Sequence, residues 1–169
     1  MHNRLKLGFK YLIEVVRPDG TVDESQSETV ENLMPTQGLD HTLSVLLKGS
    51  GQISTWYIGL FSGNYTPQAT DTMAAFVAAA TEITSSYDEA TREEFVEGTV
   101  SAGAVDNVTN EAEFTFNETK TVYGGFISST STKGSGSGVL LSAVRFGSPK
   151  PLADEGVLRV TAGFTMVSA

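Results

Sequence analysis

The side chains that most often do acid–base, nucleophilic or metal chemistry near neutral pH are scarce in this sequence. The chain of 169 residues has no cysteine, and its two histidines are His2 and His41. These two residue types supply most of the groups that titrate or coordinate metals near pH 7. Asp40 precedes His41 directly, and neighbours on a helix point about 100° apart, so the two do not face each other. The sequence predicts a non-enzymatic protein with no catalytic, cofactor-binding or metal-ligating residue.

Carboxylates and one arginine gather in the middle of the chain, at Asp88, Glu89, Arg92, Glu93, Glu94 and Glu97. Such a cluster could bind calcium or supply the paired carboxylates of a glycosidase. The calcium-loop pattern of alternating Asp or Asn with a central glycine is absent. Because runs of charge are usually hydrated surface, we interpret this segment as a solvent-exposed acidic face.

A run of serine, threonine and glycine over residues 128–138 contains Gly134, Gly136 and Gly138. A nucleotide-binding loop would need a Gly-Lys-Ser/Thr ending and a following helix, but a strand pattern begins at Val139. No serine lies in the Gly-x-Ser-x-Gly turn of a hydrolase. We therefore interpret the run as a flexible connection between strands.

The charge of the chain restricts its partners. It carries 20 acidic and 11 basic residues, a formal net charge of −9. Such a surface repels phosphate backbones, so no nucleic-acid partner is expected. No apolar run approaches the roughly 20 residues of a membrane span, and the N-terminal residues contain no secretory signal pattern. We expect a soluble protein with no membrane partner.

The elements that would position these side chains are mostly short strands, beginning with a hairpin. Residues 10–16 form a β-rich run, residues 17–20 read Arg-Pro-Asp-Gly, and residues 21–30 return as a polar strand. That polarity suits an exposed edge or an arm lying on a neighbouring protein. We predict a hairpin arm over residues 1–35 and a β-sandwich domain over residues 36–169, forming one structural unit. Removing residues 1–37 is then expected to leave a folded domain that no longer assembles.

One helix is predicted with clear ends. Residues 36–48 place Leu39, Leu43, Leu46 and Leu47 at helical spacing in one apolar stripe. Thr36 is the expected N-cap and Gly49 the expected stop. A second, short helix is possible over the alanine-rich residues 71–80.

The remaining segments alternate or are fully apolar, which is typical of strands. Residues 56–61 are apolar on both faces, whereas residues 112–116 alternate as a half-buried strand does. Strands follow over residues 122–127, 139–146 and 158–166. Because turns rather than helices separate them, the sequence predicts a mainly β fold, an antiparallel sandwich or jelly roll with one or two short helices.

Aromatic and β-branched side chains are the best candidates for an interface. Tyr and Trp are enriched at interface hot spots, although they also fill β cores. Core packing is the simpler interpretation of Trp56 and Phe61, and Tyr65 is expected on a loop. The candidate interface residues are Tyr11, Ile13, Val22, Trp56, Tyr57 and Tyr65.

Three stretches, read together, carry a resemblance. The first combines residues 56–61 (WYIGLF), 65–67 (YTP) and 70–74 (TDTMA). The second combines residues 87–92 (YDEATR), 105–107 (VDN) and 112–116 (AEFTF). The third combines residues 122–126 (VYGGF), 138–142 (GVLLS) and 145–146 (RF). From about residue 33 onward, the chain resembles a family of small virion proteins of tailed bacteriophages.

The resemblance implies a structural role without catalytic residues. Within that family the chain is similar to cement or decoration proteins, which stabilise a capsid through contacts with the major capsid protein. It implies assembly in the host cytoplasm, a location in the virion, and a homo-oligomer, dimer or trimer. The alternatives are a neck, tail or fibre-attachment protein and a carbohydrate-binding receptor module. An enzyme is the least favoured class.

Overall fold

The computed structural model describes residues 5–168, and the side chains of residues 7–166. It consists of two antiparallel sheets and two helices, so the predicted mainly β antiparallel sandwich is confirmed. The elements in chain order are β1 (Leu5–Val16), β2 (Glu28–Glu31), α1 (Thr36–Lys48), β3 (Tyr57–Phe61), α2 (Met73–Ala80), β4 (Glu93–Glu94), β5 (Ala104–Asp106), β6 (Ala112–Thr115), β7 (Lys120–Ser128), β8 (Leu140–Leu152) and β9 (Val157–Ser168).

The first sheet is built around one long strand pair. Its strand order is β2-β1-β9-β5, and β6 also pairs with β9. β1 and β9 run antiparallel in continuous register from Leu5 opposite Ser168 to Val16 opposite Val157. Alternate residues of β1 point into the sandwich, so Phe9, Tyr11 and Ile13 are buried.

The second sheet, in the order β4-β3-β7-β8, closes the core from the other side. Ile58 and Leu60 of β3 share one apolar cluster with the inward side chains of β1 and β9. The opposite face of this sheet is covered by α2, whose Phe76 packs against Phe61 and Phe126 with ring centroids 5.6 and 5.3 Å apart. Residues 57–61 are therefore apolar on both faces because both faces are covered.

The N-terminal hairpin forms, with its return strand at Glu28–Glu31 rather than over the whole of residues 21–30, but it is not an arm. Gly20 adopts a φ of +82° in its turn, a conformation that glycine tolerates. β1 is an interior strand of the first sheet, with β2 on one side and β9 on the other. The polarity of residues 21–30 suggested an arm, but it does not extend to β1, whose alternate side chains are apolar and buried. Phe9, Tyr11, Ile13 and Val15 of β1 share a core with the rest of the chain, so removing residues 1–37 is expected to unfold the protein.

Both helices match their predicted segments. α1 spans Thr36–Lys48 and ends at Gly49, which has a φ of +69°. Its N-cap position is Pro35 rather than Thr36, and the Thr36 amide donates to the Ala69 carbonyl at 2.9 Å. α2 begins after Thr72, whose hydroxyl accepts from the Ala75 amide at 3.4 Å. A loop carbonyl therefore accepts from the first amide of α1, and no side chain caps the start of the helix.

Candidate functional site

Two of the six candidate interface residues lie inside the sandwich. The side chains of Tyr11 and Ile13 have an exposed fraction of 0%. The Tyr11 hydroxyl lies 2.7 Å from the Ser142 hydroxyl oxygen of β8, and burial raises the pKa of Tyr11. Both residues hold the two sheets together, so neither belongs to a surface that another protein could contact.

Three further candidates are half-buried and lie apart from one another. Val22 follows the first turn and forms an isolated bridge with Val16. Tyr57 opens β3 and pairs with Glu94 of β4. The Tyr65 hydroxyl donates to Asp71 at 2.8 Å, and burial together with this hydrogen bond raises the pKa of Tyr65. The structure does not bring these side chains together into one site.

The sixth candidate, Trp56, borders an open apolar groove at one end of the sandwich. The groove has a volume of about 380 Å³. Trp56 is half-buried against the core, and its ring meets the ring of His41 of α1 at 69°, with centroids 5.6 Å apart. We call this feature the end groove.

The walls of the end groove come from several parts of the chain that are distant in sequence. α1 contributes His41, Thr42, Val45 and Leu46; residues 52–56 form a second wall. The segment between β4 and β5 contributes Phe95, Glu97 and Val100, and β1 and β9 contribute Phe9 and Phe164. Val100 and Leu46 are 72% and 61% exposed, so the rim of the groove presents unburied apolar surface.

Most of the residues of the end groove were not predicted from the sequence. Phe95 and Val100 lie within and just after the acidic run, where no periodicity sets them apart. Their apolar character among carboxylates was the one available signal. The groove arises from elements distant in sequence, and only the folded arrangement brings them together.

α1 turns Leu43 and Leu47 away from the core. Gly38 packs so closely on β8 that a Cβ there would lie 2.5 Å from the Leu141 carbonyl oxygen. Gly38, His41, Thr42 and Val45 form the inward face, since residues three and four apart share one side of a helix. Leu39 packs partly against the core. Leu43 and Leu47, on the opposite face, are 54% and 78% exposed.

The outward face of α1 is a shallow depression bounded by five side chains: Asp40, Leu43, Ser44, Leu47 and Lys48. We call it the leucine face. Its two leucines lie between an acid near the N-terminal end of the helix and a base at its C-terminal end. Leu43 and Leu47 therefore expose apolar side-chain surface on this face of the helix.

Arg92, expected on a solvent-exposed acidic face, is instead buried. Its side chain is 0% exposed and that of its partner Glu82 is 2% exposed. The guanidinium donates to both Glu82 carboxylate oxygens, at 2.7 and 2.8 Å. It also stacks over Phe126, 5.1 Å from the ring centroid. The guanidinium can be buried because each of its hydrogen-bond donors has an acceptor inside the protein.

The same ion pair holds the serine- and glycine-rich run, predicted as a flexible connection. Arg92 donates to the carbonyls of Thr130 and Ser135 at 2.8 and 2.9 Å. The Gly134 amide donates to Glu82 at 2.8 Å. The Gly134 amide, which in a phosphate-binding loop would be free to bind an anion, is therefore already bonded to a carboxylate of the protein. These hydrogen bonds fix the run against the sandwich.

Beside this pair, Lys133 lies within the acidic cluster. Its ammonium is 3.5 Å from the centroid of the Tyr87 ring. Burial lowers the pKa of Lys133, and burial followed by repulsion from Glu89 raises the pKa of Glu93. The cluster therefore contains its own cation. Among the residues that the structure describes, no three His, Asp or Glu side chains are arranged to hold a metal ion.

A buried lysine joins the hairpin to the other sheet. Lys150 of β8 is 1% exposed, and its ammonium lies 3.0 Å from a carboxylate oxygen of Glu28 in β2. The same ammonium donates to the Ser148 hydroxyl at 3.1 Å. This ion pair closes the edge of the sandwich at which β2 meets β8.

A scan against family models found no match, and a search of curated proteins also found none. Neither of the two helices described within residues 5–168 has the length and apolar content needed to cross a membrane.

Proposed function

We propose that this protein is a non-enzymatic structural component of a tailed-bacteriophage virion. In this proposal it acts as a cement protein that binds the major capsid protein through the end groove. The resemblance of residues 33 onward to small virion proteins supports the class, and the end groove supports the mode of attachment. Within the virion the protein adds interfaces that help a thin shell resist the pressure of packaged DNA.

The observation that carries the proposal is the open, apolar end groove with the exposed rim residues Val100 and Leu46. Removing such a surface from water is favourable, at about 25 cal/mol per Å² of apolar area. A side chain or short segment of a partner protein would fill the volume that the fold leaves open. Core residues of interfaces are typically depleted in charge, and the walls of the groove are predominantly apolar.

Repetition on a lattice makes modest contacts sufficient. A groove of this size supports one small contact, whereas stable protein complexes usually bury about 1,200–2,000 Å² in total. Copies attached at several linked points on a shell are retained far more strongly than one isolated contact would allow. The end groove therefore suits attachment to a repeated partner better than capture of a single free protein.

Two alternative functions could also use the end groove. A neck, tail or fibre-attachment protein would also need an apolar docking groove, and only its copy number would distinguish it from cement. A carbohydrate-binding module would use an aromatic ring face as a platform. Trp56 is the aromatic residue at the groove that would serve, but it is half-buried and meets His41 edge to face. The groove is thus better suited to an apolar partner than to a sugar.

The test is co-sedimentation of the purified protein with shells assembled from the major capsid protein. Val100→Lys places a charge on the groove rim, and Val108→Lys places the same charge on a valine that is 57% exposed and does not line the groove. We expect the wild type and Val108→Lys to sediment with the shells, and Val100→Lys to bind at least tenfold more weakly. Absence of wild-type binding would refute the cement role, and equal binding of both variants would refute attachment through the groove.

A further inference from the structure

We infer that the leucine face of α1 binds the leucine face of a second copy of this chain, in an antiparallel two-fold pair. The inference goes beyond the proposed function, because it names a partner for apolar surface that the end groove does not use. Asp40, Leu43, Ser44 and Leu47 stand at positions i, i+3, i+4 and i+7 of the helix. Four residues at this spacing form the hole that receives a knob from a facing helix in coiled-coil packing.

The opposite charges at the two ends of the leucine face favour a second copy of this chain as its partner. Asp40 and Lys48 lie eight residues apart, at the two ends of the depression that contains the leucines. When two such helices pair antiparallel about an axis at Ser44, Asp40 of each copy comes level with Lys48 of the other. A parallel pair would instead place like charges together, which is unfavourable. The face is therefore complementary to itself in one orientation.

The residue at the axis permits close approach. Ser44 is small, and Leu43 and Leu47 flank it on the same face of the helix. In the antiparallel pair, Leu43 of one copy lies beside Leu43 of the other near the axis. Leu47 then packs toward the N-terminal half of the facing helix. A contact of this kind is isologous, since the same patch is used on both copies, and it closes at two chains.

The size of the face sets the expected strength. A helix of 13 residues is about 20 Å long, and a pair of such helices buries less than the roughly 1,200 Å² of a standard interface. The dimer should accordingly be weak and dependent on concentration, with a Kd on the order of 10 µM. On a shell, where copies are held close together, the same contact would be saturated.

The first test is sedimentation equilibrium of the purified full chain over about 1–500 µM, in the absence of any virion protein. The apparent mass should rise with concentration from the chain mass of 18.0 kDa toward twice that value. Leu47→Lys should raise the Kd at least tenfold, while Val108→Lys, on an exposed valine outside the face, should leave it unchanged. A monomer at every concentration, or a dimer that Leu47→Lys does not weaken, would overturn the inference.

A charge exchange provides the second test. Asp40→Lys and Lys48→Asp should each weaken the dimer by placing like charges opposite each other at both ends of the pair. The double variant, carrying both changes, should recover most of the wild-type affinity. Helix stability cannot account for that recovery, because a base at the start of α1 and an acid at its end oppose the helix dipole. Failure of the double variant to recover would refute the antiparallel arrangement.

These outcomes are separate from those that test the virion role. A protein that dimerises in solution but is missing from purified particles would keep the self-association and lose the proposed function. A protein that is present in particles but remains monomeric at every concentration would keep the function. In that case the inference fails.

Discussion

The guanidinium of Arg92 and the carboxylate of Glu82 form a two-bond ion pair beneath the surface of the sandwich, with both side chains almost completely buried. The pair lies where β4, the end of β7 and the serine- and glycine-rich run meet. Arg92 also donates to the Ser128 hydroxyl and to two backbone carbonyls. All the donors of the guanidinium are therefore used, and one side chain ties three parts of the chain together.

Removing this arginine should destabilise the fold strongly. Arg92→Ala leaves Glu82 buried without its partner, and breaking one half of a buried pair typically costs about 3–5 kcal/mol. Arg159→Ala is the matched control, because Arg159 and Glu113 form a pair of the same length, 2.7 Å, with side chains 35% and 53% exposed. Exposed pairs contribute about 0–1 kcal/mol. Chemical denaturation measures both free energies of unfolding, and similar losses in the two variants would contradict the assigned role of Arg92.

Two neighbouring residues test whether β1 belongs to the core. Ile13 is completely buried, whereas Leu12, next to it, is 36% exposed on the other face of the strand. Ile13→Ala should lower the free energy of unfolding by about 2–5 kcal/mol, and Leu12→Ala should lower it by less than about 1 kcal/mol. Thermal and denaturant unfolding would report the difference. Equal, small losses would restore the hairpin as a detachable arm.

The contact between α1 and β8 depends on the absence of a side chain at residue 38. A Cβ at Gly38 would lie 2.5 and 2.9 Å from the carbonyl oxygens of Leu141 and Leu140, which are backbone atoms that cannot turn aside. Gly38→Ala should therefore cost about 1–3 kcal/mol through overpacking, despite the better helix propensity of alanine. Gly51→Ala is the control, because a Cβ there would meet no described atom within 4 Å. An unchanged Gly38→Ala protein would mean that α1 is not held against β8.

The carboxyl of Glu93 makes stability depend on pH in a stated direction. Burial, with a smaller effect of Glu89, raises the pKa of Glu93 above its ordinary value of 4.5. The folded state therefore holds this proton more tightly than the unfolded state does. Its stability falls as the pH rises from the unfolded pKa through the folded pKa.

Glu93→Gln removes the loss of stability that occurs when the Glu93 carboxyl ionises. The variant should therefore be more stable than the wild type at pH 7. The advantage should shrink as the pH falls toward about 4, where the wild-type carboxyl is protonated in both states. Unfolding free energies of both proteins at several pH values would measure it. A difference that stays constant with pH would show that Glu93 does not titrate differently on folding.

The sequence predicted the fold correctly where the local sequence pattern and the tertiary environment favour the same structure. α1 was predicted at its observed bounds because Gly49 ends it in the left-handed conformation that the sequence suggested. The hairpin turn at residues 17–20 and the alternating strand β6 followed from local chemistry. β4 and β5 were missed because strands of two and three residues are too short to show a period.

The candidate site was less accessible, because it depends on relations between distant segments. The leucine stripe of α1 was visible, but the close packing of Gly38 on β8, which turns Leu43 and Leu47 outward, was not. The burial of Arg92 depends on Glu82 and on carbonyls at residues 130 and 135, none of which a charge pattern brings together. The end groove likewise joins β1, α1 and β9 with the segment between β4 and β5.

The copy number of this protein in purified phage particles tests the central claim most directly. Quantitative mass spectrometry would compare it with the major capsid protein. The cement role predicts roughly one-third to one copy per capsid subunit, because the protein follows the symmetry of the capsid lattice. A ratio of a few per cent would place it in the neck or tail instead. Complete absence from the particles would contradict the virion role itself.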